Sequence, residues 1–85
     1  MKNEIFSPAE STVIKLLGRK KLTLADLADK YYEETEKKPT IEPNNSMASI
    51  VSRINKKVIF HDLDWFLNGE GLGRKGRTIW KDARE

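Results

Sequence analysis

Between positions 44 and 57 the chain places amide, hydroxyl, guanidinium and ammonium groups at short, helix-compatible intervals: Asn44, Asn45, Ser46, Ser49, Ser52, Arg53, Lys56 and Lys57. Short polar side chains let a helix backbone approach the floor of a groove, where longer groups would hold it away. In such a groove Arg53 can pair bidentately with guanine, and Asn45 can read adenine. Lys56 and Lys57, near the end of the segment, suit phosphate oxygens, which position a protein without reading sequence. A second cluster, Gly71-Leu72-Gly73-Arg74-Lys75-Gly76-Arg77, packs three cations among glycines that permit tight turns and close backbone approach. Three cations on one turn repel one another unless an anion neutralises them. Both clusters point to non-covalent recognition of a polyanion.

Other chemistry is weaker. Gly71-x-Gly73-x-x-Gly76 matches a dinucleotide fingerprint, and Gly71-x4-Gly76-Arg77-Thr78 nearly matches a phosphate loop. Each needs a strand before it and a helix after it. Here nine residues follow Gly76 and favour a strand, and Arg77 stands where the lysine belongs. His61, Asp62 and Asp64 lack the further ligands of a metal centre. No nucleophile–base constellation is present, so the chain reads as a non-enzyme without a cofactor. Trp65 and Trp80 could stack on bases, but side chains of this size more often fill a small core, and Tyr31 belongs with them; Tyr32 is expected to be partly exposed.

The charge is unevenly placed. Up to Pro43 eight Lys/Arg balance eight Asp/Glu; from Asn44 onward eight basic residues face five acidic ones, which accounts for the net +3. A polyanion would therefore meet the second half. The 85 residues suffice for one small domain, with short flexible ends near 1–6 and 82–85. The chain has no cysteine, which removes disulfides and thiolate metal sites and fits a reducing compartment. No apolar run reaches the length of a signal peptide core or a membrane span, so a cytoplasmic protein is expected.

The elements that position these residues carry clear signals. Ser7-Pro8-Ala9-Glu10 is a capping box with proline at the first helical position, and Val13, Ile14, Leu16 and Leu17 give one apolar face. A first helix is predicted at Pro8–Leu17, stopped by Gly18. Thr23 caps a second at Leu24–Glu34, whose Leu24, Leu27, Ala28 and Tyr31 fall at i, i+3, i+4, i+7. Leu22 is expected in a strand of one or two residues. Pro39 and Pro43 break the chain, leaving a turn of about eleven residues unless Glu33–Lys38 extends the second helix. Asn44 or Asn45 then caps a third helix at Ser46–Lys57. After it, β-branched and aromatic residues predict strands near 58–67 and 77–81, joined by a turn holding four of the five glycines. That loop, with few apolar contacts, is expected to be mobile.

LTLADLADKYY (22–32), NNSMASIVSRINKK (44–57) and GEGLGRKGRTIW (69–80) in this order resemble the winged-helix family of helix-turn-helix DNA-binding domains, of the small phage and bacterial type. The resemblance implies an α+β fold, a three-helix helix-turn-helix core followed by a β-hairpin wing. It also implies a third helix in the major groove and a wing on phosphates or in the minor groove. The site would comprise Asn44, Asn45, Ser46, Ser49, Ser52, Arg53, Lys56, Lys57, Arg74, Lys75 and Arg77. Duplex DNA is the expected partner, in a transcriptional regulator or accessory factor, with no membrane role; a homodimer or another protein partner is compatible with it. A protein-interaction module on the same scaffold is the competing class. One segment has a second reading: Asp62–Gly69 resembles the DWLLxGxG-like stretch of phage-type repressors, which would make it a short capped helix.

Overall fold

The computed structural model describes residues 5–84. The order is α1 (Pro8–Leu17), β1 (Leu22–Thr23), α2 (Leu24–Thr35), α3 (Pro43–Phe60), β2 (Trp65–Gly73) and β3 (Gly76–Ala83). It is an α+β fold in which three helices form the core and a β-hairpin follows them.

The first two helices begin and end where local chemistry places them. The Ser7 hydroxyl accepts from the Glu10 amide at 3.2 Å, and the Glu10 carboxylate accepts from the Ser7 amide at 2.9 Å. Gly18 (φ 51°) leaves the helical conformation and donates its amide to the Ile14 carbonyl. Thr23 caps α2 through the Asp26 amide at 3.1 Å. Glu36 (φ 58°) ends α2, so the connection to α3 shortens to the seven residues Glu36–Glu42.

α3 departs from the sequence expectation at both ends. It opens on Pro43, with Glu42 at the cap position and no side-chain cap bond; Asn44 and Asn45 lie inside the first turn rather than capping it. Proline is pre-set for the first helical position and loses no hydrogen bond there. At the other end Val58, Ile59 and Phe60 are helical, not strand. Met47, Ile50, Val51, Ile54 and Val58 continue one buried face, and Val58 is fully buried. That burial overrides the strand preference of β-branched residues. Asp62 (φ 54°) then turns the chain, and Trp65 enters β2. The repressor-like helix over 62–69 is thereby excluded.

The sheet has the order β1-β3-β2 and is antiparallel throughout. Leu22 pairs with Ile79, and β2 pairs with β3 from Trp65↔Ala83 to Gly73↔Gly76, with an irregularity between Glu70 and Gly73. β3 therefore includes Asp82 and Ala83, and the Arg84 amide donates to the Asp64 carbonyl at 2.9 Å. Phe6 packs on Trp65 at 5.8 Å between ring centres. Of the ends expected to be flexible, residues 1–4 and 85 lie outside the described residues; the rest are built into the fold.

One core joins all three helices and the hairpin through Val13, Leu17, Leu27, Met47, Ile54, Leu67 and Ile79. Tyr31 is buried in it and Tyr32 is half-buried. The tryptophans are not at its centre. Trp80 follows core-facing Ile79, so strand alternation turns it to the other face, under the Lys21 ammonium at 4.6 Å. Trp65 shares the inner face with Leu67 but lies at its margin, half-buried, with Lys81 at 4.7 Å over the ring.

Candidate functional site

α3 carries no Asp or Glu along its 18 residues. With Met47, Ile50, Ile54 and Val58 turned inward, helical geometry places Asn45, Ser49, Ser52 and Lys56 on the opposite face, and all four are exposed. This stripe is amide, hydroxyl, hydroxyl, ammonium. Asn45 donates to the Glu42 carboxylate at the start of the helix. Ser46, half-buried, shares a hydrogen bond of 2.8 Å with the Thr40 hydroxyl, so it holds the incoming loop. Asn44 turns toward the hairpin: its amide nitrogen lies 3.3 Å from where a Cβ on Gly76 would sit.

The remaining cations of α3 point away from the stripe. Lys57 Nζ donates to Glu10 Oε1 at 2.7 Å, and Arg53 Nε lies 3.5 Å from Glu10 Oε2. Glu10 itself is 2% exposed. Burial alone would raise its pKa. The hydrogen bonds from Lys57 and the Ser7 amide, with the charges of Lys57 and Arg53, outweigh that and hold the carboxyl below its usual range. Glu10 thus closes α1's cap and ties α1 to α3 with the same two oxygens.

On the hairpin side, Asn55 makes a matching pair of bonds. Its carbonyl oxygen accepts from the Leu67 amide at 2.8 Å, and its amide donates to the Leu67 carbonyl at 2.9 Å. β2 is an edge strand, so these groups have no sheet neighbour on that side. Between α3 and the hairpin runs a groove whose walls include Ser52, Lys56 and Ile59 on one side and Gly69 and Arg77 on the other.

The three cations of the hairpin turn have different surroundings. Arg77 donates to the Gly69 carbonyl at 2.9 Å and lies across β2. Lys75 is 3.7 Å from Asp26, and its carbonyl accepts the Ala25 amide at 2.9 Å. That amide belongs to the first turn of α2, where helical N–H groups lack a partner within the helix. Gly76 (φ 84°) sits so close to Leu24 that a Cβ would approach it to 3.0 Å. The turn is thus tied to α2 at Lys75 and Gly76, because α2 offers an unpaired donor at that point. Arg74 is exposed at the turn.

Sequence reasoning therefore placed the stripe and the basic turn, and it missed Glu10 and Asn55. Glu10 was visible only as a cap, and nothing local distinguishes Asn55 from another helical asparagine. His61 packs edge-on against Phe60, and Asp62 pairs with Arg84 at 3.3 Å. Among the described residues no three His, Cys, Asp or Glu side chains converge, and no helix is long and apolar enough to cross a membrane. At its C-terminal end α3 exposes Ile59 (66%) and Phe60 (83%), beyond what an isolated surface position explains.

No family model, curated protein or solved structure matches the chain.

Proposed function

We propose that this chain binds duplex DNA, with the outer stripe of α3 in the major groove and the β2–β3 hairpin along the phosphate backbone, as a small cytoplasmic regulator or accessory factor that performs no chemistry. The observation that carries this reading is the stripe itself. Asn45, Ser49, Ser52 and Lys56 share one exposed face of a helix whose 18 residues include no Asp or Glu, the Glu42 carboxylate standing only at its cap, and Arg77 rims the adjoining groove. A solvated helix face ordinarily mixes both signs of charge. One that carries its single carboxylate at the cap and keeps its side chains short beyond it suits close approach to a polyanion.

The element order agrees with what the winged-helix resemblance implies, and the hairpin's position beside α3 lets both meet one duplex. Within the proposed site, Asn45 is the candidate reader of a base edge, and Ser49 and Ser52 permit close approach. Lys56, Arg74 and Arg77 neutralise phosphates. Arg53 and Lys57, engaged by Glu10, stand at its margin.

The test is an NMR titration with random-sequence duplex combined with affinity measured against salt. Amide shifts confined to 44–56 and 73–77 are expected. With three phosphate contacts, the slope of log affinity against log salt should be about −2 to −3. Binding that ignores salt would overturn the reading. A second reading draws on exposed Ile59 and Phe60, which would suit a protein partner. It expects salt-insensitive binding that Phe60→Ala abolishes.

A further inference from the structure

We infer that Glu10 sets the charge that α3 presents to nucleic acid: its buried carboxylate stands in for phosphate and holds Lys57 and Arg53 off the duplex, so that α3 meets DNA through its uncharged stripe and Lys56. The inference rests on the DNA-binding reading above and adds which cations are withheld from the duplex, and by what.

The geometry is specific. Glu10 is separated by 47 positions from Lys57, yet Lys57 Nζ reaches Oε1 at 2.7 Å while Oε2 takes the Arg53 guanidinium at 3.5 Å. Capping α1 does not require either cation, since the cap uses only the Ser7 hydroxyl and amide. The cations themselves remain partly open to solvent, with side-chain exposures of 36% for Lys57 and 56% for Arg53. Ion pairs with that much exposure add little to folding. Their effect on the charge that α3 presents is larger. Lys56 precedes Lys57 in sequence, and Arg53 and Lys57 stand one turn apart on the adjoining flank; unpaired, these two would add +2 to the charge that Lys56 already places on the stripe.

Phosphate contacts act alike on every duplex, and each adds about 0.9 to the salt slope. Two more would strengthen binding to random DNA as much as to a preferred site and leave base reading unchanged. Holding two cations back therefore weakens attachment to every duplex alike and keeps the protein exchangeable between sites, without altering the ratio of preferred to random binding. A carboxylate is suited to this task because it offers the same charge-assisted acceptors as a phosphate oxygen.

The experiment compares the native chain with Glu10→Gln by fluorescence anisotropy on a random-sequence duplex across a salt series. Glutamine keeps a carbonyl to accept from the Ser7 amide and removes the charge. The expected result is a slope steeper by about 1–2 units and tighter random-duplex binding at low salt. An unchanged or shallower slope in folded Glu10→Gln overturns the inference. Should that variant fail to fold, Lys56→Ala and Lys57→Ala decide it: the first should flatten the slope by about one unit and the second by much less, and equal flattening overturns the inference. If neither the native chain nor Glu10→Gln binds duplex, the DNA-binding reading fails with it. If the native chain binds and the slopes coincide, only the role of Glu10 fails.

Discussion

The two flanks of α3 are fastened by opposite kinds of chemistry. Toward the hairpin, Asn55 makes two neutral hydrogen bonds to the backbone of Leu67, a residue that is 4% exposed. Toward α1, Glu10 makes ionic contacts with Lys57 and Arg53, side chains that still reach solvent. The neutral clamp satisfies groups that have no other partner on an edge strand. The ionic clamp joins a buried carboxylate to two cations that water or an outside anion could satisfy instead. A structure that must stay closed benefits from the first; a surface whose charge is to be controlled benefits from the second.

The sharpest way to break this comparison is Asn55→Ala. It leaves the buried amide and carbonyl of Leu67 unpaired, and stability should fall by about 2–4 kcal/mol. At about 4–8 °C per kcal/mol for a domain of this size, calorimetry should show a drop of about eight degrees or more. A loss below about 1 kcal/mol would mean that water replaces the clamp.

The hairpin turn is a third fastening, and Gly76→Ala probes it. A side chain there meets both the left-handed backbone at φ 84° and Leu24. Denaturant unfolding should show a loss of about 1–3 kcal/mol. An unchanged midpoint would show that the turn can shift away from α2 without consequence.

Glu10→Gln should cost less than Asn55→Ala, about 1 kcal/mol, because both cations can turn to water. Its pH dependence identifies the ionic clamp. Glu10 has a folded pKa below its ordinary value, so its contribution is complete above the unfolded value of about 4.3. It is lost as pH falls through the lower folded value. The stability difference between the native chain and Glu10→Gln should therefore close in acid, while that between the native chain and Asn55→Ala should not. A gap for Glu10→Gln that persists through that range would contradict the ionic account.

Lys75→Ala should do least. The pair with Asp26 is exposed and 3.7 Å long, and the bond from the Ala25 amide goes to the backbone carbonyl, which alanine keeps. A change under about 0.5 kcal/mol is expected in the same unfolding measurement. A larger loss would give the side-chain pair, rather than the backbone bond, the role of anchoring the turn.

What could be read from the chain alone was whatever is settled within about one helical turn. Ser7 and Glu10 define the start of α1, Thr23 starts α2, and the spacing of Met47, Ile50, Val51 and Ile54 reveals the buried face of α3, and with it the stripe opposite. The glycines around Arg74 and Lys75 likewise mark the hairpin turn. Caps, turns and periodicity act between neighbours, so their cause lies in adjacent residues. Tertiary structure decided the rest. Val58 stays helical because the core receives it, Trp80 faces outward because Ile79 faces in, and the turn is held because α2 offers it an amide. Lys57 and Arg53 are drawn to a carboxylate in the first turn of α1, and Asn55 meets the outward-facing peptide groups of Leu67 on the edge strand β2. Each depends on a partner brought near by packing, whose burial and direction no local pattern records.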